Sequence, residues 1–312
     1  MADGSRTSVG IIQEVAYGVV PANPAFADVR NTGVTLGLSK DTLQSGEIRA
    51  DRQIADFRHG TRKVGGDISM ELSYGTFDAI LEALLGGMWQ ADTPAVGTDR
   101  LIAGTTRRSF VIERFFADIL AADKPYHRFT GCEFNNMQLQ IAANAMITGT
   151  FGVVGKDMAT DAAIVAGATY GAASTTSPLD SFSGSLIEGG APIAVITEMQ
   201  LSLDNGLNPR YVVGSKTSER PSIGRSNVTG QVTAFFENSD MLDKFINETE
   251  SSIELDLPDA AGNAYKITLP RVKYNGGQPD TKGEGSITLA MPFQALLDSV
   301  TGTNIIIDRT PA

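Results

Sequence analysis

One pattern occurs twice in this chain, and it limits the folds open to it. Val34, Leu36 and Leu38 alternate with small or polar residues, the period of a strand with one buried face. A charged excursion follows, Glu47–Lys63, read as an exposed, extended hairpin or loop. Asp67–Leu72 then alternates again, with Ile68, Met70 and Leu72 on one face. The period switches at Phe77, Ile80, Leu81 and Leu84, spaced i, i+3, i+4 and i+7, one apolar stripe of a short helix. Gly86-Gly87 is its natural stop. From Ala194 the series starts again. Met199, Leu201 and Leu203 alternate, a polar excursion runs from Asp204 to Asn227, and Val228–Phe236 lines up with Val64–Leu72. Met241, Leu242, Phe245 and Ile246 supply a second helix. Leu38 to Gly66 is 28 positions and Leu203 to Gly230 is 27. Order, spacing and period all recur, which predicts an internal duplication.

The rest of the chain reads mainly as strands. Residues 1–30, with Val9–Ile12 and a proline-punctuated turn at Pro21 and Pro24, suit an extended arm or first strand. Ser109–Phe116, Tyr126–Phe134 and Met137–Val154 read as strands, the last two joined by a hairpin-type turn at Asn135-Asn136. Ser252–Leu257, Ala264–Val272 and Gly285–Phe293 close the second unit, with a Gly-rich turn at Asn275-Gly276-Gly277. Met158–Gly184 is rich in Ala, Gly, Ser and Thr and nearly free of charge, the composition of a linker. Three parts are expected: an N-terminal arm with a first domain over residues 1–157, a linker over 158–184, and a second domain with a C-terminal tail over 185–312. The copies themselves span Gly33–Gly155 and Ala194–Phe293.

Composition excludes several function classes. No apolar run approaches the roughly 20 residues that span a bilayer, and no membrane partner is expected. The start, MADGSRTSVGIIQEV, lacks a basic segment followed by an apolar core, so no signal peptide is expected. The single cysteine, Cys132, excludes an intramolecular disulfide. Net charge is −11 and uneven: 15 basic against 17 acidic residues through Lys156, then 10 against 19. Such a chain is poorly suited to gripping nucleic acid, where affinity comes from neutralised phosphates.

The search for chemistry predicts no catalytic, cofactor or metal site. His59 and His127 are the only histidines, too few for metal-ligand spacing. Cys132 and His127 are five apart on an expected strand, hence on opposite faces, and no strained nucleophile turn is present. Gly155-Lys156 echoes a phosphate loop, but Thr150 replaces its first glycine and Asp157 its metal-binding hydroxyl. Gly283-Glu284-Gly285 starts a dinucleotide-like pattern that leads into a strand instead of a helix. The charged excursions carry two readings. As solvated hairpins their ion pairs contribute little. As projections of mixed charge they would set the register between like subunits. On the second reading Glu47, Arg49, Asp51, Arg52, Asp56 and Arg58, with Arg210, Arg220 and Arg225 in the later excursion, are inter-subunit contacts.

The stretches SRTSVGIIQEVAYGVVPANPAF, TGVTLGLSKDTLQSGEIRADRQIADFRHGTRKVGGDISMELSYGTFDAILEALLGG and SNVTGQVTAFFENSDMLDKFINE resemble tail tube proteins of bacteriophages with long, non-contractile tails. The resemblance implies a β-sandwich or barrel-like domain with a flanking helix, here carried twice. It also implies sheets of neighbouring subunits joined into one barrel-like ring around a channel, with rings stacking through hairpin loops and arms. The implied partners are further copies of the chain, tape-measure and terminator proteins, and phage DNA passing without specific binding. The implied location is the virion tail, after assembly in the host cytoplasm. Because many relatives carry one such domain, two per chain imply a homotrimer with pseudo-six-fold symmetry. Two other readings stay open: a tail terminator or head–tail connector ring, and a carbohydrate-binding β-sandwich adhesin. The adhesin calls for clustered exposed aromatics, whereas Trp89 is the only tryptophan and aromatic residues make up 7%.

Overall fold

A computed structural model describes residues 3–193, 195–279, 281 and 283–312. Ala194, where the second copy is expected to begin, lies outside the described residues. The first half holds β1 (Thr7–Gln13), β2 (Ala25–Asp28), β3 (Gly33–Val34), β4 (Gly37–Gln44) and β5 (Phe57–Glu71). Helix α1 (Asp78–Leu85) follows, then β6 (Asp99–Ile102), β7 (Phe110–Phe116), β8 (Tyr126–Ala142), β9 (Thr148–Gly155) and β10 (Asp157–Asp161). Next come β11 (Thr169–Tyr170), β12 (Ser185–Glu188), β13 (Ala191–Pro192), β14 (Ile196–Asp204), β15 (Asn208–Arg210), β16 (Glu219–Ser222) and β17 (Asn227–Phe235). Helix α2 (Asp240–Ile246), β18 (Ser251–Pro258), β19 (Ala264–Tyr274), β20 (Thr288–Ala295) and β21 (Ile306–Thr310) complete the chain.

The centre of the molecule is an antiparallel run in the order β5, β9, β8, β14, β17, β20. Strict alternation turns one face of it apolar. Ile68, Met70, Phe151, Met137, Leu139, Leu201, Val232 and Met291 all point to that side and are buried. Helix α1 covers them with Ile80, Leu81, Leu84 and Leu85, and ends at Gly86 with a left-handed φ of 63°. A Cβ at Gly86 would sit 3.0 Å from the Gly104 carbonyl, so the stop is steric as well as conformational. Removing one of these anchors, as in Leu81→Ala, costs about 2–5 kcal/mol.

The recurrence is visible in register. Gly66 lies against the backbone of Leu36, where a Cβ would come within 2.7 Å, and Gly230 pairs with Leu201, where a Cβ would meet the Gln200 carbonyl at 2.3 Å. The two glycines hold the same place, letting the first strand of each unit approach the second.

Mainly-β architecture with one short helix in each half stands, but the expected pair of closed β-sandwich or barrel domains is corrected. Among the described residues nineteen strands belong to one sheet, and their pairings branch without returning to a strand already joined. Among the described residues no sheet closes into a barrel. A barrel needs its last strand to pair with its first. Here the outer strand of the first half, β8, instead pairs with β14 of the second, from Glu198 opposite Ala142 to Asp204 opposite Asn136. The two halves therefore share a single open sheet.

Three local findings differ from the sequence expectation or add to it. Asn135-Asn136 is not a hairpin: β8 runs straight through it with a bulge against β9. The Asn135 carbonyl accepts the Asn205 N–H and its side chain accepts the Leu207 N–H, which absorbs the turn-forming groups. Residues 158–184 lie along the first half: β10 pairs with β8, β11 runs parallel to β2, and Pro178 bridges Ser73. The C-terminal tail supplies β21, which pairs with β19 on one side and β6 on the other.

That last pairing lets the second half clamp α1. The Tyr265 hydroxyl donates to Asp78 Oδ1 at 2.5 Å and accepts the Gly75 N–H at 2.9 Å. Arg309 pairs with Asp78 and, at 2.8 Å, with Asp99, and its guanidinium lies 4.5 Å over the Trp89 ring.

Candidate functional site

The second face of the central run is polar, and its composition is unusual. Reading across the six strands by register, one row is Ser69, Thr150, Gln138, Ser202, Thr229, Gln294. The next row is Glu71, Thr148, Gln140, Gln200, Gln231, Pro292. A third holds Asp67, Gly152, Asn136, Asp204 and Asn227. Among the described residues of these rows there is no lysine or arginine, and the only charges are Asp67, Glu71 and Asp204. Glu198, one pair further along β14, adds a fourth acid. Bases lie beyond its ends: Lys63 pairs with Asp41 at 2.7 Å, and on β19 Lys273, which stands opposite Gln294, shares Glu250 with Arg271, at 3.8 Å and 2.6 Å.

Amides and hydroxyls laid out this way hydrate well and offer a phosphate no cation. Gln140 shares its row with Gln200, and their amide groups converge on Glu198: Gln140 Nε2 donates to its Oε1 at 3.1 Å and Gln200 Nε2 at 2.7 Å. A shallow groove of about 650 Å³ runs across the face, from Thr32 and Ser69 to Asn275 and Pro292. Its floor is rigid, because every second residue of each strand is anchored in the core behind it.

The first charged excursion is an arm made of β4 and the first part of β5, with Leu43 opposite Arg58 and Gln44 opposite Phe57. Glu47, Arg49, Asp51, Arg52, Asp56 and Arg58 all lie on its exposed end. Their ion pairs are local: Arg49 with Asp51 at 2.7 Å, and Arg58 with Asp56 at 2.9 Å. The arm also exposes Ile48 completely, together with Leu43, Ile54 and Phe57. Sequence reading singled out the charges and passed over these apolar side chains, whose signal was apolar residues set within a polar stretch.

The second excursion behaves differently. It folds as the ribbon β15–β16 and returns onto the first half, where the Arg62 N–H donates to the Lys216 carbonyl at 2.7 Å. Arg210 donates to the Arg220 carbonyl within the ribbon. Arg220 itself is engaged inside the chain, 2.6 Å from buried Glu133, which also pairs with Arg107. Arg225 is exposed. The structure thus brings six of the nine singled-out residues together on the arm and leaves Arg210 and Arg220 on a separate ribbon, with Arg225 in the segment after it.

Beneath that ribbon lies a polar cluster. The Glu14 carboxylate accepts the N–H groups of Gly18 and Gly131, both at 2.7 Å, and the Ser109 hydroxyl. Tyr17 packs nearby, its phenol pushed up to about 12 mainly by burial. Cys132 is fully buried beside it, its thiol raised by burial and then by the Glu14 charge. His127 packs edge-on against Phe116 and is held down by burial and by Arg114, so the two do not form a reactive pair. Among the described residues no group of three His, Cys, Asp or Glu side chains is arranged to hold a metal ion.

Comparison with known families gives one finding. The family model described as phage tail tube protein matches residues 4–295, from the first turn through β20. No curated protein matches the chain.

Proposed function

This chain belongs to the phage tail tube protein family, a structural component of the virion tail and not an enzyme, and we propose that its base-free polar face lines the channel of the tube. Each chain would contribute two units to a ring, and three chains would give a homotrimer with pseudo-six-fold symmetry. Rings would stack, with the β4–β5 arm of one reaching the next, and the genome would leave through the channel. The tape-measure and terminator proteins are the expected tail partners.

One observation carries the reading: across the six strands the rows Ser69 to Gln294 and Glu71 to Pro292 hold hydroxyls, amides and one carboxylate, and no cation. DNA in a narrow tube must slide, and each phosphate held by a lysine or arginine would slow it. A hydrated neutral lining with scattered acids holds no phosphate and mildly repels the strand. On this reading the lining is mainly neutral, with Asp67, Glu71, Glu198 and Asp204 as its charges.

Negative-stain microscopy of the purified protein tests the assignment. Tubes or stacked annular rings are the expected result. Isolated globules under all assembly conditions would contradict it. Symmetry analysis of the same images separates three chains per ring from six.

A further inference from the structure

Residues 158–184 run over the first half and help to line a small pocket there, of about 240 Å³. Its floor is β1. Gly10 stands opposite Asp28 of β2 on one side and Glu113 of β7 on the other, so two acids flank a residue with no side chain. At about 4.8 Å per strand their backbones are roughly 10 Å apart. Ser8, one step along the same face, lies opposite Phe115, which in turn lies opposite Tyr126 of β8. The Phe115 and Tyr126 rings stack at 4.8 Å. Tyr170 of β11 lines the remaining side, its ring stacked on Phe26 at 5.4 Å.

The charges around this pocket do not balance. Glu113 is buried and satisfied: Arg128 donates to its Oε2 from Nε at 2.9 Å and from Nη2 at 2.7 Å, and the Tyr170 hydroxyl donates to Oε1 at 2.5 Å. Arg128, the one base in this row of the sheet, also pairs with Asp161 at 2.5 Å. Asp28 is half-buried across the floor, and among the described residues no group partners its carboxylate. Burial raises its carboxyl above the ordinary value. One base thus answers three acids. A half-buried carboxylate without a counter-ion costs stability, and this one shares its pocket with three aromatic rings, whose faces also attract cations.

We propose that this pocket binds a small alkylammonium ion, its ammonium group hydrogen-bonded to Asp28 above Gly10 and its carbon atoms against Phe115, Tyr126 and Tyr170. A carboxylate beside aromatic walls is the chemistry by which proteins take up organic cations. A metal ion would instead require several oxygen ligands converging on one point, and the pocket offers one free carboxylate. Its volume admits a chain of a few carbons and excludes a nucleotide or a polymer. The pocket lies within a single chain, so binding does not depend on ring formation.

Calorimetric titration of the purified protein with 1,4-diaminobutane tests the site, with butane-1,4-diol as the neutral counterpart of the same length. The diamine should bind saturably with a Kd of ~1 mM or tighter, and the diol should not bind. Asp28→Asn should weaken binding about tenfold or more, by removing the charge-assisted hydrogen bond. Its melting temperature should stay unchanged or rise slightly, because an amide needs no counter-ion there. Phe115→Leu keeps an apolar wall but removes a π face, and should weaken binding about three- to tenfold. Asp123→Asn, at an exposed acid outside the pocket, should change nothing. Absence of saturable binding to the wild type, equal binding of the diol, or equal affinities of wild type and Asp28→Asn would overturn the proposal. So would a loss in Asp123→Asn as large as that in Asp28→Asn, which would mark a general attraction to a chain of net charge −11.

Discussion

Gln140 of β8 stands directly opposite Gln200 of β14, across the strand pair that joins the two halves of the chain. Two uncharged amides at the centre of the polar face are what a sliding polyanion requires. Gln200→Lys places one base there in every chain. As an exposed substitution it should change stability by no more than about 0.5 kcal/mol. Tubes should form, but DNA release should slow, and added salt should restore part of the rate by screening the new charge. Release kinetics from particles carrying the variant would check this. An unchanged rate at low salt would count against the lining assigned to this face.

The arm gives a second expectation. Arg49→Glu, Arg52→Glu and Arg58→Glu together remove only exposed, local ion pairs, which contribute little to stability. The monomer should keep its circular dichroism spectrum and its melting temperature to within a few degrees. Assembly should fail, because reversed charge would surround the apolar contacts at Ile48, Ile54 and Phe57. Normal tubes from the triple variant would show that the arm is not a contact.

Arg309 ties the C-terminal strand to α1, and its loss has a definite pH dependence. Its ion pair holds the Asp99 carboxyl below the usual carboxylate range. A depressed folded-state value stabilises above the unfolded value of about 4 and is lost as pH falls through the folded one. Arg309→Ala should cost about 1–3 kcal/mol at pH 7, since Asp78 and Trp89 lose a half-buried partner. The difference between wild type and variant should shrink below about pH 4. Urea unfolding at pH 7 and pH 3 measures both numbers, and a gap that widens in acid would exclude this account.

Cys132 should behave as a core side chain. Burial and then the Glu14 carboxylate raise its thiol, so little thiolate forms at pH 8. A thiol reagent should modify the folded protein only at the rate of unfolding, and rapidly in denaturant. Fast stoichiometric modification of the native chain would mean that the β7–β8 region opens.

Much of this architecture was legible in residue periodicity. Ile68, Met70 and Leu72 announced a half-buried strand, and the stripe from Phe77 to Leu84 announced α1, because each pattern depends only on near neighbours in the chain. The equivalence of Gly66 and Gly230 was legible as spacing, and the structure supplies its reason in the close backbone approach. The β8–β14 seam was hidden, since alternation in Gln138–Ile141 and in Met199–Leu203 marks each as a strand without naming its partner. So was β21: Ile305–Ile307 is too short an apolar run to distinguish a strand from a tail. The polar face was written in the sequence as every second residue of six strands. Only the register aligns those residues into rows and shows that no base falls among them.

The central claim is the orientation of that face, and a residue-resolution electron cryomicroscopy reconstruction of assembled tubes tests it directly. Gln138, Gln140, Gln200 and Ser202 should point at the axis, with α1 and α2 on the outer side of the wall. A reconstruction that turns these residues outward, buries them between subunits, or lines the channel with lysine and arginine would contradict it.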